Sequence, residues 1–228
     1  MPRFVALVVA LLAGCGSTEE ASGSVSFAAS AGPSVESDTP PLVTADGWTL
    51  HFDRFAVAFH DLSLRSGQSP AVATLLGSRL VDLKAVGPKR IIAFENLPAG
   101  TFDRVGWRIA PVSVETEVGA GATGDDKALM SGKWSLYVEG TATSGAVTKY
   151  FRWGLGTDTT YDCPGATVND GASIEIALTL DAARLFGDFA PLAAADVDGD
   201  RIVTLEELGV AGLSERLATA AGTLGVCP

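Results

Sequence analysis

The sequence predicts a mainly β protein, an antiparallel β-sandwich followed by a short α-helical segment at the C-terminal end. Apolar and polar residues alternate over many short stretches between residues 47 and 180, which is the period of half-buried strands. Turn-forming residues separate these stretches, and helical patterns are confined to residues 181–228. Many short alternating strands with frequent turns are typical of a sandwich.

Residues 1–14 have the features of a signal peptide. Arg3 gives a short positive region, and the apolar run Phe4–Ala13 is too short to cross a bilayer, which takes about 20 apolar residues. The run ends in Leu12-Ala13-Gly14-Cys15, which resembles the lipobox of bacterial lipoproteins. The resemblance implies that the signal is cut before Cys15 and that Cys15 carries acyl chains. An ordinary secretory signal that contains a cysteine is the alternative.

Lipidation would hold the protein at the cell envelope. A single acyl chain anchors only marginally, at about 0.8 kcal/mol per buried CH₂, whereas the several chains that the lipobox resemblance implies anchor a protein durably. Gly16 stands where some bacteria use an aspartate to retain lipoproteins at the inner membrane. We therefore expect the outer membrane, on its periplasmic or surface face.

Residues 15–46 are predicted to be the lipidated cysteine and a flexible tether. This stretch is rich in Ser, Ala, Gly, Thr and Pro and has no sustained apolar period, so it cannot bury enough surface to offset its ordering entropy. The small cluster Val25-Ser26-Phe27 could instead form a first strand. After the tether, residues 47–180 are predicted to form the sandwich domain and residues 181–228 a helical segment.

The first part of the body predicts a long, irregular strand. Trp48–Phe52 alternates in one parity and Phe55–Phe59 in the other, which indicates a bulge near Asp53-Arg54. Leu62 and Leu64 change parity again. Further short strands are predicted at residues 80–83, 89–94, 102–112, 134–142, 147–155 and 172–180.

The connections follow from turn chemistry. Residues 96–100 form a turn, and Thr143–Ala146 joins two strands as a hairpin. The glycine-rich stretch Gly119–Asp126 lacks the ending of a phosphate-binding loop and predicts a plain surface connection. In the C-terminal segment, Asp181 could cap a short helix that ends at Phe186. Two more helices are predicted, at about residues 205–210 and 214–224.

Charge and cysteine usage limit the partners. The formal net charge of −11 repels nucleic acid phosphates and anionic lipid headgroups, so neither is an expected partner. Cys163 and Cys227 remain as an even pair if Cys15 is lipidated, and an exported protein permits a disulfide. Closing so long a loop would contribute about 4 kcal/mol. Two free thiols are the alternative.

Acidic residues recur at alternate positions of one C-terminal segment, Asp196–Glu207, with the sequence DVDGDRIVTLEE. Its carboxylates at positions 1, 3, 5 and 12 resemble those of an EF-hand calcium loop. Ca²⁺ takes about six to eight oxygen ligands at about 2.3–2.6 Å. The resemblance implies six ligand residues: Asp196, Asp198, Asp200, Ile202 through its carbonyl, Thr204 through a bridging water, and Glu207.

The segment departs from the EF-hand pattern at position 6. Arg201 stands where glycine is usual, and left-handed backbone at such a residue costs roughly 1–2 kcal/mol. Pro191 interrupts the expected entering helix, and the sequence holds no second loop. A lone loop suggests weak, structural binding, with a Kd of about 10⁻⁴–10⁻³ M. An acidic turn that binds nothing is the alternative.

Two histidines offer a different metal site, because imidazole suits copper. His51 and His60 both lie in the first strand region. The runs LHFDRFAVAFHDLSL and NLPAGTFDRVGWRI resemble the sandwich bodies of small bacterial lipoproteins, including the MbnP-like group. That resemblance implies a copper-binding or redox-partner lipoprotein. In that group histidine and tryptophan serve copper, whereas Arg152-Trp153 stands here where a histidine is expected, so copper binding is not carried over.

An enzyme that acts on glycans is the remaining alternative. Neither histidine belongs to a nucleophile motif, so no hydrolase triad is indicated. The four tryptophans could form a carbohydrate platform, but their alternating apolar positions favour core packing. We therefore predict a non-catalytic lipoprotein that binds calcium, with a β-domain whose protein or small-molecule partner is unidentified. The tryptophans are Trp48, Trp107, Trp134 and Trp153.

Overall fold

The computed structural model describes residues 21–67, 71–75, 77–186, 195–210 and 225–226. The predicted signal peptide, Cys15, Cys227 and the helix expected at 214–224 lie outside these residues. The strands are β1 (Ser22–Ser30), β2 (Leu42–Val43), β3 (Thr49–Arg65), β4 (Ala73–Thr74), β5 (Ser78–Asp82), β6 (Lys89–Pro98), β7 (Gly100–Ile109), β8 (Glu117–Val118), β9 (Leu136–Ser144), β10 (Val147–Leu155), β11 (Thr159–Val168), β12 (Ser173–Leu180), β13 (Ile202–Thr204) and β14 (Gly225–Val226). The helices are α1 (Pro33–Glu36), α2 (Gly124–Met130), α3 (Ala182–Phe186) and α4 (Leu205–Val210).

The strands form two sheets, so the prediction of a mainly β chain is confirmed. The smaller sheet has the order β14-β12-β1-β6, and the larger one follows the path β11-β7-β3-β9-β10-β13, with β2, β4, β5 and β8 at its margins. The sandwich was predicted to be antiparallel, and three of its strand pairs are parallel instead. β1 pairs with β12, β5 with β8 and β10 with β13 in parallel, because these partners come from distant parts of the chain rather than from hairpins.

One hydrophobic core joins the two sheets. Phe27 and Leu178 of the smaller sheet belong to the same buried cluster as Phe52 and Trp107 of the larger sheet. The rings of Phe52 and Phe151 meet edge to face, with centroids 5.7 Å apart. Burying a large apolar side chain contributes about 1.5–3 kcal/mol, so this shared cluster holds the sheets together.

The predicted tether is wrong for the residues that form β1, α1 and β2. β1 lies inside the smaller sheet, between β12 and β6. Val25, Phe27 and Ala29 are each fully buried, and Val35 of α1 is buried as well. The alternative of a first strand around Val25-Ser26-Phe27 is confirmed. The strand is rich in Ser and Ala, a composition that is also typical of linkers. These small side chains fit between the two neighbouring strands.

Several local predictions are confirmed. The register of β3 against β9 shifts between Phe52 and Arg54, where the bulge was expected. β9 and β10 form the predicted hairpin. The Asp181 Oδ1 atom accepts a hydrogen bond from the Ala183 N–H at 3.0 Å, at the start of α3.

The predicted plain connection at Gly119–Asp126 is partly wrong, because α2 begins at Gly124. Thr123 caps this helix: its hydroxyl accepts from the Asp126 N–H, and the Asp126 carboxylate accepts from the Thr123 N–H. This reciprocal pair satisfies two N–H groups that a helix start otherwise leaves free. Among the described helices, none has the length and apolar character needed to cross a membrane.

Candidate metal centre

The acidic segment is fastened to the edge of the larger sheet. β13 pairs in parallel with β10, and Phe151 lies opposite Val203. The Val203 side chain is fully buried, and its carbonyl accepts a hydrogen bond from Trp153 Nε1 at 3.0 Å. The Tyr150 N–H donates to the Arg201 carbonyl at 2.8 Å. Val203, at position 8 of the segment, therefore anchors the loop to the core.

Three of the four predicted carboxylates converge. Asp196, Asp198 and Glu207 each offer one carboxylate oxygen, and these oxygens lie within 4.8 Å of one another. Two Ca–O bonds of about 2.4 Å span at most about 4.8 Å, so one ion could touch all three oxygens. The cluster is therefore able to hold a metal ion, and its donors are all hard oxygens.

Glu207 is held in place by donors from both ends of the loop. Its Oε1 atom accepts from the Val197 N–H at 3.0 Å, and its Oε2 atom accepts from the Thr204 N–H at 2.7 Å and the Thr204 hydroxyl at 3.0 Å. The Thr204 N–H is the largest of the causes that lower the pKa of Glu207. The carboxylate is therefore kept ionised and oriented.

The remaining predicted ligands have other contacts. Asp200 lies outside the converging group, and its Oδ1 atom accepts from the Ile202 N–H at 2.7 Å. Thr204 uses its hydroxyl on Glu207, as above. Metal ligation by Asp200, by the Ile202 carbonyl and through a water on Thr204 stays a prediction. The entering helix lies largely outside the described residues, and α4 follows the loop where the exiting helix was expected.

A lysine that sequence reasoning missed lies beside the cluster. The Lys149 Nζ atom is 3.5 Å from Asp196 Oδ2 and 5.6 Å from the centroid of the Trp48 ring. Lys149 is only 9% exposed. Nothing in the spacing of the acidic segment points to this residue, since it reaches the site through the pairing of β10 with β13.

Arg201 adopts the backbone that its position in the loop demands. Its φ is 69°, in the left-handed region, and Gly199 has φ 79°. The Arg201 N–H donates to Asp196 Oδ1 at 3.4 Å. The turn expected at position 6 is therefore made without glycine.

The two histidines do not form a common site. They lie nine positions apart on β3, and a strand rises about 3.3 Å per residue, which separates them by roughly 30 Å. The His51 Nδ1 atom lies 3.6 Å from Asp38 Oδ2. Burial is the largest cause that lowers the pKa of His60. A copper ion held jointly by both histidines is therefore wrong.

The tryptophans and cysteines have structural surroundings. Core packing is confirmed for Trp48, Trp107 and Trp153, which are at most 6% exposed, so they offer no open platform. Cys163 is 2% exposed and disulfide-bonded. The other two cysteines lie outside the described residues, so the pairing of Cys163 with Cys227 stays a prediction.

The comparisons with known proteins give no relative. No protein-family model matches the chain, and neither a curated protein nor a solved structure matches it. Function must therefore be argued from this chain's own residues.

Proposed function

We propose that this chain is a non-catalytic lipoprotein of the cell envelope, a β-sandwich whose C-terminal EF-hand-like loop binds one calcium ion. The convergence of Asp196, Asp198 and Glu207 carries the proposal. These residues hold positions 1, 3 and 12 of the segment, where an EF-hand loop has carboxylate ligands. The body would serve as a binding or structural module.

Calcium is the ion that suits this donor set. Carboxylate and carbonyl oxygens are hard ligands, and sites built from them suit Ca²⁺, Mg²⁺ and Mn²⁺ rather than copper or zinc. Mg²⁺ needs near-ideal octahedral geometry and keeps several waters, whereas Ca²⁺ accepts irregular cages with carboxylates that bind through both oxygens. A loop with a terminal glutamate at position 12 favours Ca²⁺.

The sheet would replace the second loop with which EF-hands usually pair. β13 is the part of the loop that pairs with β10, and Val203 packs into the core below it. Lys149 places a positive charge beside Asp196, which offsets part of the ligand charge. Both features support a weak site with a structural role, near the Kd of about 10⁻⁴–10⁻³ M that extracellular modules show.

The lipid anchor would keep the body close to the membrane. If Cys15 carries the acyl chains, only residues 16–21 separate it from β1, which begins at Ser22. A fully extended chain spans about 3.3–3.6 Å per residue, so β1 would start within about 25 Å of the anchor. The location in the outer membrane is part of this proposal and rests on the lipobox and Gly16.

The experiment that tests calcium binding is a thermal unfolding series in calcium and in chelator. With a Kd of about 1 mM, 10 mM calcium stabilises the protein by RT ln(1 + [L]/Kd), or about 1.4 kcal/mol. This corresponds to a rise in Tm of roughly 3–6 °C for a domain of this size. Magnesium at the same concentration is expected to give a smaller rise.

Two variants make the calcium test specific. Asp198→Asn removes one converging carboxylate and is expected to abolish the calcium-dependent rise in Tm. Asp53→Asn removes the same charge from an exposed position on β3 and should retain the rise. Equal melting temperatures of the wild type in calcium and chelator would overturn the calcium proposal.

The anchor is tested separately. Cys15→Ser should move the protein from the membrane fraction to the soluble fraction of an expressing bacterium, and it should end the incorporation of labelled fatty acid. An unchanged membrane fraction in this variant would remove the lipoprotein part of the proposal and leave the calcium part intact.

A further inference from the structure

A groove lies on the larger sheet, over neighbouring parts of β3, β7 and β11. Its volume is about 540 Å³. This is within the range of about 300–1,000 Å³ that is usual for small-molecule sites. Its lining combines polar and apolar surface: Ser63 and Arg65 lie on β3, Gly106, Trp107 and Arg108 on β7, and Thr160 on β11.

At one end of the groove lies Arg108, whose guanidinium already donates hydrogen bonds to two carboxylates. Arg108 Nε and Nη2 donate to the two carboxylate oxygens of Asp158, both at 2.6 Å, and Nη1 donates to Asp61 Oδ2 at 3.1 Å. Two carboxylates share one guanidinium, so this end carries a net charge of −1. The carboxylates still have free lone pairs with which they can accept hydrogen bonds from a ligand.

The other end has polar groups with no partner. Ser63 is 3% exposed, and its Oγ atom is buried without a hydrogen bond. A buried hydroxyl without a partner is destabilising, because it has lost its hydrogen bonds to water. In the part of the chain that the structure describes, the exposed Arg65 guanidinium makes neither an ion pair nor a hydrogen bond.

Gly106 brings these two groups to a common point. A Cβ atom at Gly106 would lie 2.7 Å from Ser63 Oγ and 3.9 Å from Arg65 Nη2. The missing side chain therefore leaves a notch beside the Arg65 guanidinium, and the Ser63 hydroxyl is buried in this notch. Their donors together match a planar oxyanion, which arginine binds through two parallel hydrogen bonds.

We propose that this groove binds a small monocarboxylate that also carries hydroxyl or ammonium donors. The carboxylate takes the exposed Arg65 guanidinium, and the Ser63 hydroxyl above Gly106 becomes its second donor when the Arg65 side chain moves outward with the ligand. The hydroxyl or ammonium groups of the ligand donate to Asp61 and Asp158. The site is independent of the acidic loop and of the proposed function.

Charge selects a ligand with one carboxylate and disfavours a dianion. Arg65 supplies one unmatched positive charge, and the Asp61–Arg108–Asp158 group supplies one unmatched negative charge nearby. A dianion such as phosphate would leave one charge uncompensated and would be repelled by the carboxylates. A sugar acid or an amino acid has an anionic end and a donor end that fit the two ends of the groove.

The test is calorimetric titration at low ionic strength with four probes. Glucuronate carries a carboxylate and hydroxyls, glutamine carries a carboxylate and an ammonium, glucose lacks the carboxylate, and inorganic phosphate approaches a dianion. Binding of glucuronate or glutamine, without binding of glucose or phosphate, is expected, and the stronger of the two identifies the donor type. Binding of neither carboxylate, or equal binding of all four probes, would overturn the proposal.

Variants locate the binding. Arg65→Gln is expected to weaken carboxylate binding at least tenfold, and Gly106→Ala, which fills the notch, should do the same. Arg90→Gln removes the same charge from an exposed position on β6 of the other sheet and should bind as the wild type does. Ser63→Ala keeps the fold and should weaken binding without loss of stability. Equal affinity of Arg65→Gln and Arg90→Gln would refute this site.

Discussion

Replacing Arg201 with glycine tests whether the fold imposes strain on the acidic loop. Arg201 has φ 69°, a left-handed conformation that costs a residue with a Cβ about 1–2 kcal/mol. Glycine removes that cost but loses about 0.4–1 kcal/mol, since its unfolded chain has more freedom. The difference predicts that Arg201→Gly stabilises the protein by about 0.5–1 kcal/mol, or a rise in Tm of roughly 1–4 °C.

The strain at Arg201 arises from the fold and not from ion binding, because the sheet holds this residue. The Tyr150 N–H donates to the Arg201 carbonyl, and Ile202, the next residue, begins β13. The gain should therefore be present in chelator, when no ion contributes. Thermal and urea unfolding in chelator measures it. Arg201→Gln is the matched control, because it removes the same charge and keeps the Cβ; its stability should stay within about 0.5 kcal/mol of the wild type.

The control also separates strain from charge in calcium binding. Both variants remove one positive charge near the carboxylates, so both should bind calcium more tightly than the wild type, and by the same factor. The reasoning is refuted if Arg201→Gly is no more stable than Arg201→Gln in chelator. It is also refuted if only the glycine variant gains calcium affinity, since the strain would then arise on ion binding.

Three further predictions concern the body. Asp126→Ala removes the buried partner of Arg54 and one half of the capping box of α2, whose N-cap is Thr123. Denaturant unfolding should show a loss of about 3 kcal/mol, the lower end of the cost of breaking a buried pair, because Arg54 is partly exposed. Burial lowers the pKa of His60, so stability should fall as pH drops below about 6.5; a pH series of His60→Gln that keeps this slope would contradict the prediction. Gly154→Ala would place a Cβ atom 1.9 Å from Trp134 Cδ2, so the free energy of unfolding should fall by about 2 kcal/mol. An unchanged free energy of unfolding in this variant would contradict the prediction.

Local periodicity predicted the strands whose large apolar residues alternate. The β9–β10 hairpin and β12 carry enough such residues, so a single face is evident from the sequence alone. The strand β1 has only Val25 and Phe27 as large apolar residues among Ser, Ala and Gly. Its stability comes from two neighbouring strands that are remote in the sequence, and no local pattern contains that information.

The start of α2 has a sequence signal, but the glycine-rich composition around it favoured a different prediction. Thr123 and Asp126 have the spacing of a capping box, and a Thr three residues before an acid indicates a helix start. The surrounding glycines favoured a loop instead. Asp126 is also nearly fully buried beside Arg54, a long-range pair that fixes the helix and that spacing along the chain cannot show.

In the candidate site, too, some features follow from the local sequence and others depend on tertiary contacts. Ligand spacing is local, because alternate residues of a tight loop face one centre, and it therefore predicted the convergence of Asp196, Asp198 and Glu207. Lys149 and the pairing of β13 with β10 depend on where the segment docks, which the acidic pattern does not encode. Spacing therefore predicts which carboxylates can converge, whereas the contacts around the loop depend on where it docks.

Docking also decides how far the effect of an ion would reach. Val203 is fully buried in the core cluster that joins both sheets, and its carbonyl accepts a hydrogen bond from the buried Trp153. A loop tied in this way cannot open without exposing core residues, so its local stability is linked to that of the sheet. Binding energy gained at Asp196 and Glu207 would then stabilise the whole body rather than the loop alone. For this reason a global melting temperature is a suitable measure of calcium binding at this site.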